Sequence, residues 1–169
     1  DRFGDALSEG TDSTWAEVFR AQILNEYLDN EQLKLVSSDT LRTVRRIMDR
    51  LDSILNVPSR PTLVHGDIWA TNIMIDRDSD GARLVGYLDP CGRYAHPEYE
   101  LAYLEIWRTV GRDFFEVYGA RHPLPDGYEL RRSIYWLNTL LLHVRAFKTD
   151  NYVRAVNQLA HDLGERLAT

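Results

Sequence analysis

The stretch that decides the fold runs from residue 62 to residue 76 and reads Thr62-Leu63-Val64-His65-Gly66-Asp67-Ile68-Trp69-Ala70-Thr71-Asn72-Ile73-Met74-Ile75-Asp76. Short apolar runs lie on both sides of its polar centre, and a third run, residues 84–88, precedes Asp89. Each run is typical of a short strand, and the turn residues 78–81 separate the last two. The pattern therefore predicts polar side chains held in loops at strand ends, as a rigid site requires.

Three of these polar side chains form a set with a specific chemistry. In kinase catalytic loops, one Asp accepts the proton of the attacked hydroxyl, while an Asn five residues later and a second Asp hold magnesium on the nucleotide phosphates. The step from Asp67 to Asn72 is also five residues. We therefore expect Asp67 to be catalytic, Asn72 and Asp89 to bind Mg²⁺, and ATP to be the co-substrate. The alternative is that all three merely form turns.

A longer part of the sequence resembles a known family. Residues 62–76 resemble the catalytic loop of the aminoglycoside phosphotransferase-like kinases, which have Gly between the His and the Asp. Trp69 and the segment Leu88-Asp89-Pro90-Cys91-Gly92-Arg93-Tyr94-Ala95-His96-Pro97-Glu98-Tyr99-Glu100-Leu101-Ala102 resemble the fructosamine (ketosamine) kinase family more narrowly. That family has an Asp-Pro pair, then Tyr, a small residue, His and Glu, and then an acidic-Leu-Ala run. The resemblance is densest over residues 62–119.

The resemblance implies a fold and a domain organisation. The expected fold class is α+β, mainly α, and corresponds to the C-terminal lobe of the protein-kinase-like fold, with helices around a small β-hairpin sheet that carries the catalytic loop. Residues 1–169 would form this lobe, and residues 62–91 its catalytic and metal-binding segment. The N-terminal ATP-binding lobe would be absent, because the only lysines, Lys34 and Lys148, follow no strand-like run and no Gly-x-Gly-x-x-Gly loop occurs. The isolated chain is therefore expected to be inactive.

The resemblance also implies two kinds of supporting residue. One kind would support the catalytic loop, and comprises His65 and Glu100. The other kind would lie on the substrate side, and comprises Trp69, Tyr94, His96 and Glu98. Simpler roles stay open for most of them: Trp69 could only fill space, and the last three could brace the loop. Glu100 is longer than the Asp that the wider family usually has, which alters the geometry of its support.

Composition excludes several other classes of function. The 169 residues carry a formal net charge of −6, which argues against a nucleic-acid partner. A hydrophobic fraction of 44% is typical of a globular chain, and the single cysteine, Cys91, cannot form an internal disulfide. No apolar run is long enough to cross a membrane, and no signal peptide is visible. We expect a cytoplasmic location and no membrane partner.

Helical periodicity predicts the elements around the site. One helix should be capped by Ser13 or Thr14 and end near Leu28, and a second should be capped by Ser38 and end near Leu55. Further helices are expected over residues 98–107, around 114–118, over 128–147 and over 150–167, while residues 1–12 read as a loose lead-in. The first helix carries apolar side chains that could form an exposed lobe face and support self-association: Trp15, Phe19, Ile23 and Tyr27.

The expected function is ATP-dependent phosphoryl transfer to a hydroxyl of a small sugar-derived substrate, most simply a ketosamine. Another small-molecule kinase, of the aminoglycoside, choline or homoserine type, is one alternative, because an acidic lobe also suits other cationic substrates. A non-catalytic binding or scaffold lobe is a second alternative. A magnesium-dependent phosphatase is a weaker one, because no nucleophile motif is visible.

Overall fold

The chain divides into two units in the computed structural model, which describes residues 4–5, 14–57 and 60–168. Residues 4–5 and 60–126 belong to the first unit, and residues 14–57 and 127–168 to the second. The elements, in chain order, are β1 (Gly4–Asp5), α1 (Trp15–Leu33), α2 (Ser38–Ile54), β2 (Thr62–Val64), β3 (Ile73–Asp78), β4 (Gly81–Tyr87), β5 (Arg93–Ala95), α3 (Pro97–Ile106), α4 (Arg112–Arg121), α5 (Tyr128–Phe147) and α6 (Asp150–Arg166). The predicted class, α+β and mainly α, is confirmed; the assignment of residues 1–169 to one lobe stays a prediction.

The second unit consists of four helices. Helix α1 packs on α2 and α5, and α6 packs on the same two partners, so the four helices enclose one apolar interior. Thr14 caps α1 in a reciprocal arrangement: its hydroxyl accepts from the Glu17 N–H, and the Glu17 carboxylate accepts from the Thr14 N–H. The helix continues five residues beyond the predicted end at Leu28 and stops where Lys34 adopts a left-handed conformation. Ser13, the other predicted cap, lies outside the described residues.

The apolar residues of α1 are buried inside the second unit, which corrects the expected exposed face. Trp15, Phe19, Ile23 and Tyr27 have exposed fractions of 4%, 0%, 0% and 3%. The Trp15 indole N–H donates to the Tyr135 hydroxyl at 3.0 Å, and Phe19 meets the same ring edge-on at 5.2 Å. These side chains therefore stabilise the helical unit and are not available for association. Self-association itself stays a prediction.

The first unit holds two small antiparallel sheets where a single sheet was expected. Strand β5 lies between β1 and β2, with Tyr94 opposite both Gly4 and Leu63. Residues 4–5, predicted as part of a loose lead-in, thus form a strand. Strands β3 and β4 form a separate hairpin whose turn includes the predicted residues 78–81, with a register shift after Met74. Apolar side chains of this hairpin region are exposed: Met74, Ile75, Leu84, Val85, Tyr87 and Leu88.

The remaining helix predictions agree with the structure to within a few residues. Helix α3 begins one residue earlier than expected because His96, and not a later residue, caps it. Ser38, expected to cap α2, is its first helical residue; the cap is Ser37, whose hydroxyl accepts from the Thr40 N–H. Among the described residues, no helix is long and apolar enough to cross a membrane.

Two neighbouring residues of α1 test whether burial in the helical unit stabilises the fold. We expect Ile23→Ala to lower the free energy of unfolding by about 2–5 kcal/mol, because Ile23 is fully buried and its loss leaves a cavity. Leu24→Ala removes a side chain of similar size that is 39% exposed, and should cost about 0.5 kcal/mol or less. Urea denaturation of both variants measures the difference. Equal losses would show that α1 does not pack as described.

Candidate active site

The predicted catalytic loop follows β2 directly. Val64, the last residue of the strand, is buried and lies opposite Arg93 of β5, which fixes where the loop begins. Strand β5 continues through the cap at His96 into α3, so the first turn of α3 returns to the start of the loop. Glu100 lies 34 residues after Gly66 in the sequence. The path through β5 and the start of α3 brings it into contact with the loop.

Glu100 holds the start of the loop through two backbone amides. Its Oε2 accepts from the His65 N–H at 2.6 Å, and its Oε1 accepts from the Gly66 N–H at 3.0 Å. Hydrogen bonds to a charged acceptor are about twice as strong as neutral ones, and both carboxylate oxygens are used here. The geometry fits the loop-support role that the resemblance implies for Glu100. The longer side chain reaches both amides from the helix.

Gly66 is required at its position by two independent constraints. Its φ of +81° lies in the left-handed region, which residues with a Cβ rarely adopt. A Cβ there would also lie 2.3 Å from the carbonyl oxygen of Cys91, well inside van der Waals contact. The turn at Gly66 points successive amides at Glu100 and packs the loop against the segment that follows Asp89.

Asp67 and Asn72 are joined by direct hydrogen bonds. The Asn72 side-chain amide donates to the Asp67 backbone carbonyl at 2.9 Å and to Oδ2 of its carboxylate at 3.2 Å. Asn72 is buried, and its own N–H donates to the Trp69 carbonyl across a short 3-10 turn, Ala70–Asn72. Because both bonds to Asp67 use the amide nitrogen, the Asn72 amide oxygen remains an acceptor for a cation.

Asp89 lies beside Asn72 through the backbone. The Leu88 N–H donates to the Asn72 carbonyl at 2.9 Å, which continues the β3–β4 pairing up to the residue before Asp89. Asp89 is exposed and adopts a left-handed conformation with a φ of 49°, which Asp tolerates better than most residues. A metal shared by the Asn72 and Asp89 side chains stays a prediction.

His65 is oriented within the loop. Its Nδ1 accepts from the Asp67 N–H at 3.3 Å, and its ring meets the edge of Tyr87 at 5.9 Å. With Nδ1 as the acceptor, a neutral ring carries its proton on Nε2, which is buried and finds no hydrogen-bond partner among the described residues. This arrangement fits an orienting residue better than a base.

The four predicted substrate-side residues fall into two settings. Trp69, within the loop, is 42% exposed. His96 and Glu98 are buried: the His96 Nδ1 accepts from the Glu98 N–H and caps α3. Tyr94 is part of the β5 pairing. Burial favours the bracing alternative for His96 and Glu98, and the substrate roles of all four stay predictions.

Tyr103 is a site residue that sequence reasoning missed. Its hydroxyl donates to Oδ1 of Asp67 at 2.5 Å, and its ring meets Trp107 edge-on at 6.1 Å. Burial, followed by the hydrogen bond and charge of Asp67, raises the pKa of the phenol well above its ordinary value. A signal existed: Tyr103 lies three residues after Glu100, and residues at that spacing share one helix face.

Comparison with known proteins places the sequence in a family. The sequence profile of the fructosamine kinase family matches residues 8–165, almost the whole chain. The chain belongs to the fructosamine kinase family. The resemblance found in the catalytic loop is thereby confirmed, and it extends well beyond the densest region, residues 62–119.

Named relatives and solved structures agree with this family. The chain is 27% identical over 158 residues to a probable ketoamine kinase of Pasteurella multocida, covering 93% of this chain and 52% of that protein. It is 28% identical over 134 residues to the ketosamine-3-kinase of Mus musculus, covering 79% of this chain and 42% of that protein. A crystal structure from Thermobifida fusca, provisionally named a fructosamine-3-kinase, superposes with a TM-score of 0.75 at 28% identity, over 90% of this chain and 52% of that one. The chain thus spans about half the length of these relatives.

Substitution of Gly66 tests the close approach of the loop to Cys91. We expect Gly66→Ala to destabilise the first unit by about 1–3 kcal/mol, because the left-handed conformation is strained and the new methyl group meets backbone. Thermal unfolding measures the loss. Gly86→Ala is the matched control, since a Cβ at Gly86 meets nothing within 4 Å. A Gly66→Ala protein as stable as the control would contradict the described packing.

The Glu100 carboxylate can be tested by its nearest isostere. We expect Glu100→Gln to cost about 1.5–3 kcal/mol, because it removes the charge and turns an amide group toward a backbone donor. Amide hydrogen exchange should show lost protection at His65 and Gly66 in particular. Glu116→Gln, in an exposed ion pair with Arg112, should change stability by about 0–1 kcal/mol and leave both amides protected. Unchanged exchange at His65 and Gly66 in Glu100→Gln would refute the support role.

Proposed function

We propose that the chain carries the catalytic segment of an ATP-dependent kinase that phosphorylates a hydroxyl group of a ketosamine. The observation that carries this proposal is the joint placement of Asp67, Asn72 and Asp89. The Asn72 side-chain amide donates to the Asp67 carboxylate, and the Asn72 backbone carbonyl accepts from the Leu88 N–H. Asn72 thus connects the proposed base, through its side chain, to the segment of the proposed metal ligand, through its backbone.

Asp67 is the proposed general base. A carboxylate oxygen accepts the proton of the substrate hydroxyl as the new oxygen–phosphorus bond forms and the bond between the γ-phosphorus and the bridging oxygen breaks, releasing ADP. Asp67 is only partly buried, so an acceptor alcohol can approach it. Its backbone carbonyl and its Oδ2 both accept from the Asn72 side-chain amide. A base fixed in this way needs little reorganisation during the reaction.

The residues present fit magnesium. Mg²⁺ prefers oxygen ligands, and Asp89 offers an exposed carboxylate while Asn72 offers an amide oxygen that is not used by its bonds to Asp67. Among the residues that the structure describes, no cluster of three or more His, Cys, Asp and Glu side chains could hold a metal. A site with few protein ligands suits Mg²⁺, which keeps waters and phosphate oxygens in its shell. The metal would neutralise charge on the β- and γ-phosphates.

The choice of substrate rests on the relatives and on Trp69. The names of the relatives give ketoamines, a ketosamine and, for a chloroplast protein of Arabidopsis thaliana, a protein-bound ribulosamine as substrates. The exposed Trp69 ring next to Asp67 offers an apolar face suited to a sugar ring or to a cationic amine. A small-molecule ketosamine is therefore the proposed acceptor, ATP the donor, and the cytoplasm the expected compartment.

Paramagnetic broadening tests the proposed metal site. We expect Mn²⁺, added with ATP to the ¹⁵N-labelled chain, to broaden the amide signals of Asn72 and Asp89 first, because the metal would bind between them. Asp89→Asn removes the charged ligand and should weaken binding at least about tenfold. Asp80→Asn removes the same charge from the exposed hairpin turn and should have no effect.

Two outcomes would contradict the proposed function. Broadening that is unchanged in Asp89→Asn would show that Asp89 merely forms a turn. Broadening centred outside the loop would favour the non-catalytic lobe.

In the same samples, fructosyl-lysine should perturb the Trp69 indole signal more than choline, homoserine or an aminoglycoside at equal concentration. A larger perturbation of the Trp69 signal by one of the other compounds would show that this compound, and not a ketosamine, is the better candidate for the acceptor.

A further inference from the structure

We propose that Tyr103 is a positioning residue, which holds the Asp67 carboxylate in the orientation that its role as a base requires. The proposal rests on the proposed function for its chemical meaning, since Asp67 matters as a base only in phosphoryl transfer. The contact itself is independent of that function. The Tyr103 hydroxyl donates to Oδ1 of Asp67 at 2.5 Å, across 36 residues of sequence.

The two oxygens of Asp67 are held by different elements. Oδ1 receives the phenol of Tyr103 from α3, and Oδ2 receives the Asn72 amide from the 3-10 turn that follows the loop. Two donors from two directions restrict rotation of the carboxylate about both side-chain torsions. Carboxylate oxygens have further lone pairs, so an acceptor alcohol can still bind in a defined direction. Preorganisation of this kind reduces the rearrangement needed to reach the reactive geometry.

Tyr103 is itself well placed to act as a fixed donor. It lies one helical turn after Glu100, which accepts from the His65 and Gly66 amides. One face of α3 therefore holds both the loop backbone, through Glu100, and the Asp67 side chain, through Tyr103. The Trp107 ring, one turn further along, packs edge-on against the Tyr103 ring, with 6.1 Å between the ring centroids. The same helix thus sets the position of Asp67 and its orientation.

The protonation state of the phenol agrees with a donor role. The pKa of Tyr103 is raised, first by burial and then by the hydrogen bond and negative charge of Asp67, which outweigh a lowering by Trp107. A phenol whose pKa is raised on folding stays protonated through the range in which exposed tyrosines ionise, about pH 10. Its contribution to stability is complete below the pKa of the unfolded state and is lost only as pH rises through the folded value. Tyr103 is therefore a donor at neutral pH.

Nuclear magnetic resonance on the whole 169-residue chain tests the proposal, with labels on the carboxyl carbon of Asp and the hydroxyl-bearing ring carbon of Tyr. Three-bond couplings should report a single rotamer for Asp67 in the natural chain and averaged rotamers in Tyr103→Phe, which keeps the ring and loses the hydroxyl. Tyr118→Phe removes a hydroxyl on α4 and should leave the Asp67 couplings unchanged. In Asp67→Asn, the titration midpoint of Tyr103 should move down toward those of the exposed tyrosines.

Either of two results would overturn the proposal. An Asp67 rotamer that is as well defined in Tyr103→Phe as in the natural chain would mean that only the ring matters, for packing. A Tyr103 titration unchanged in Asp67→Asn would mean that the hydroxyl is not bonded to that carboxylate. Neither signal requires phosphoryl transfer, so both decide the role of Tyr103 even where the metal-binding experiment counts against a kinase.

Discussion

The pair of hydrogen bonds from the His65 and Gly66 amides to Glu100 is the interaction on which the rest of the first unit depends. It joins the end of β2 to the first turn of α3, and so fixes the loop that contains Asp67. Because both N–H groups donate to one carboxylate, the backbone at His65 and Gly66 has little freedom to move. The same turn brings Gly66 so close to the Cys91 carbonyl that a Cβ would not fit there.

Local sequence signals predicted the parts of the molecule that depend on near neighbours. The five-residue step from Asp67 to Asn72 keeps both residues in one loop, and the observed hydrogen bonds span that step. Apolar periodicity predicted each of the six helices in the described part of the chain, and the turn residues 78–81 predicted the hairpin. In these cases hydrogen bonding within a short segment decides the structure, so the segment itself carries the information.

Features set by contacts between distant segments were not predicted. Tyr103 reaches Asp67 because α3 folds back on the loop; its spacing from Glu100 places it on the same helix face but does not identify Asp67 as its partner. Strand β1 exists because β5 offers it an edge, which residues 4–5 do not reveal on their own. The apolar stripe on α1 was read as an exposed face, yet α2 and α5 cover it. A stripe shows that a helix has a partner without showing which one.

The packing of Gly66 against Cys91 also places a reactive thiol, suitable for labelling, directly beside the catalytic loop. Cys91 is the only cysteine in the sequence, and its side chain is exposed while its carbonyl is in contact with the loop. A thiol-directed fluorophore or spin label would attach at this one place, two residues beyond Asp89. Its signal would follow movements of the loop and of the Asp89 segment together, without any engineered cysteine.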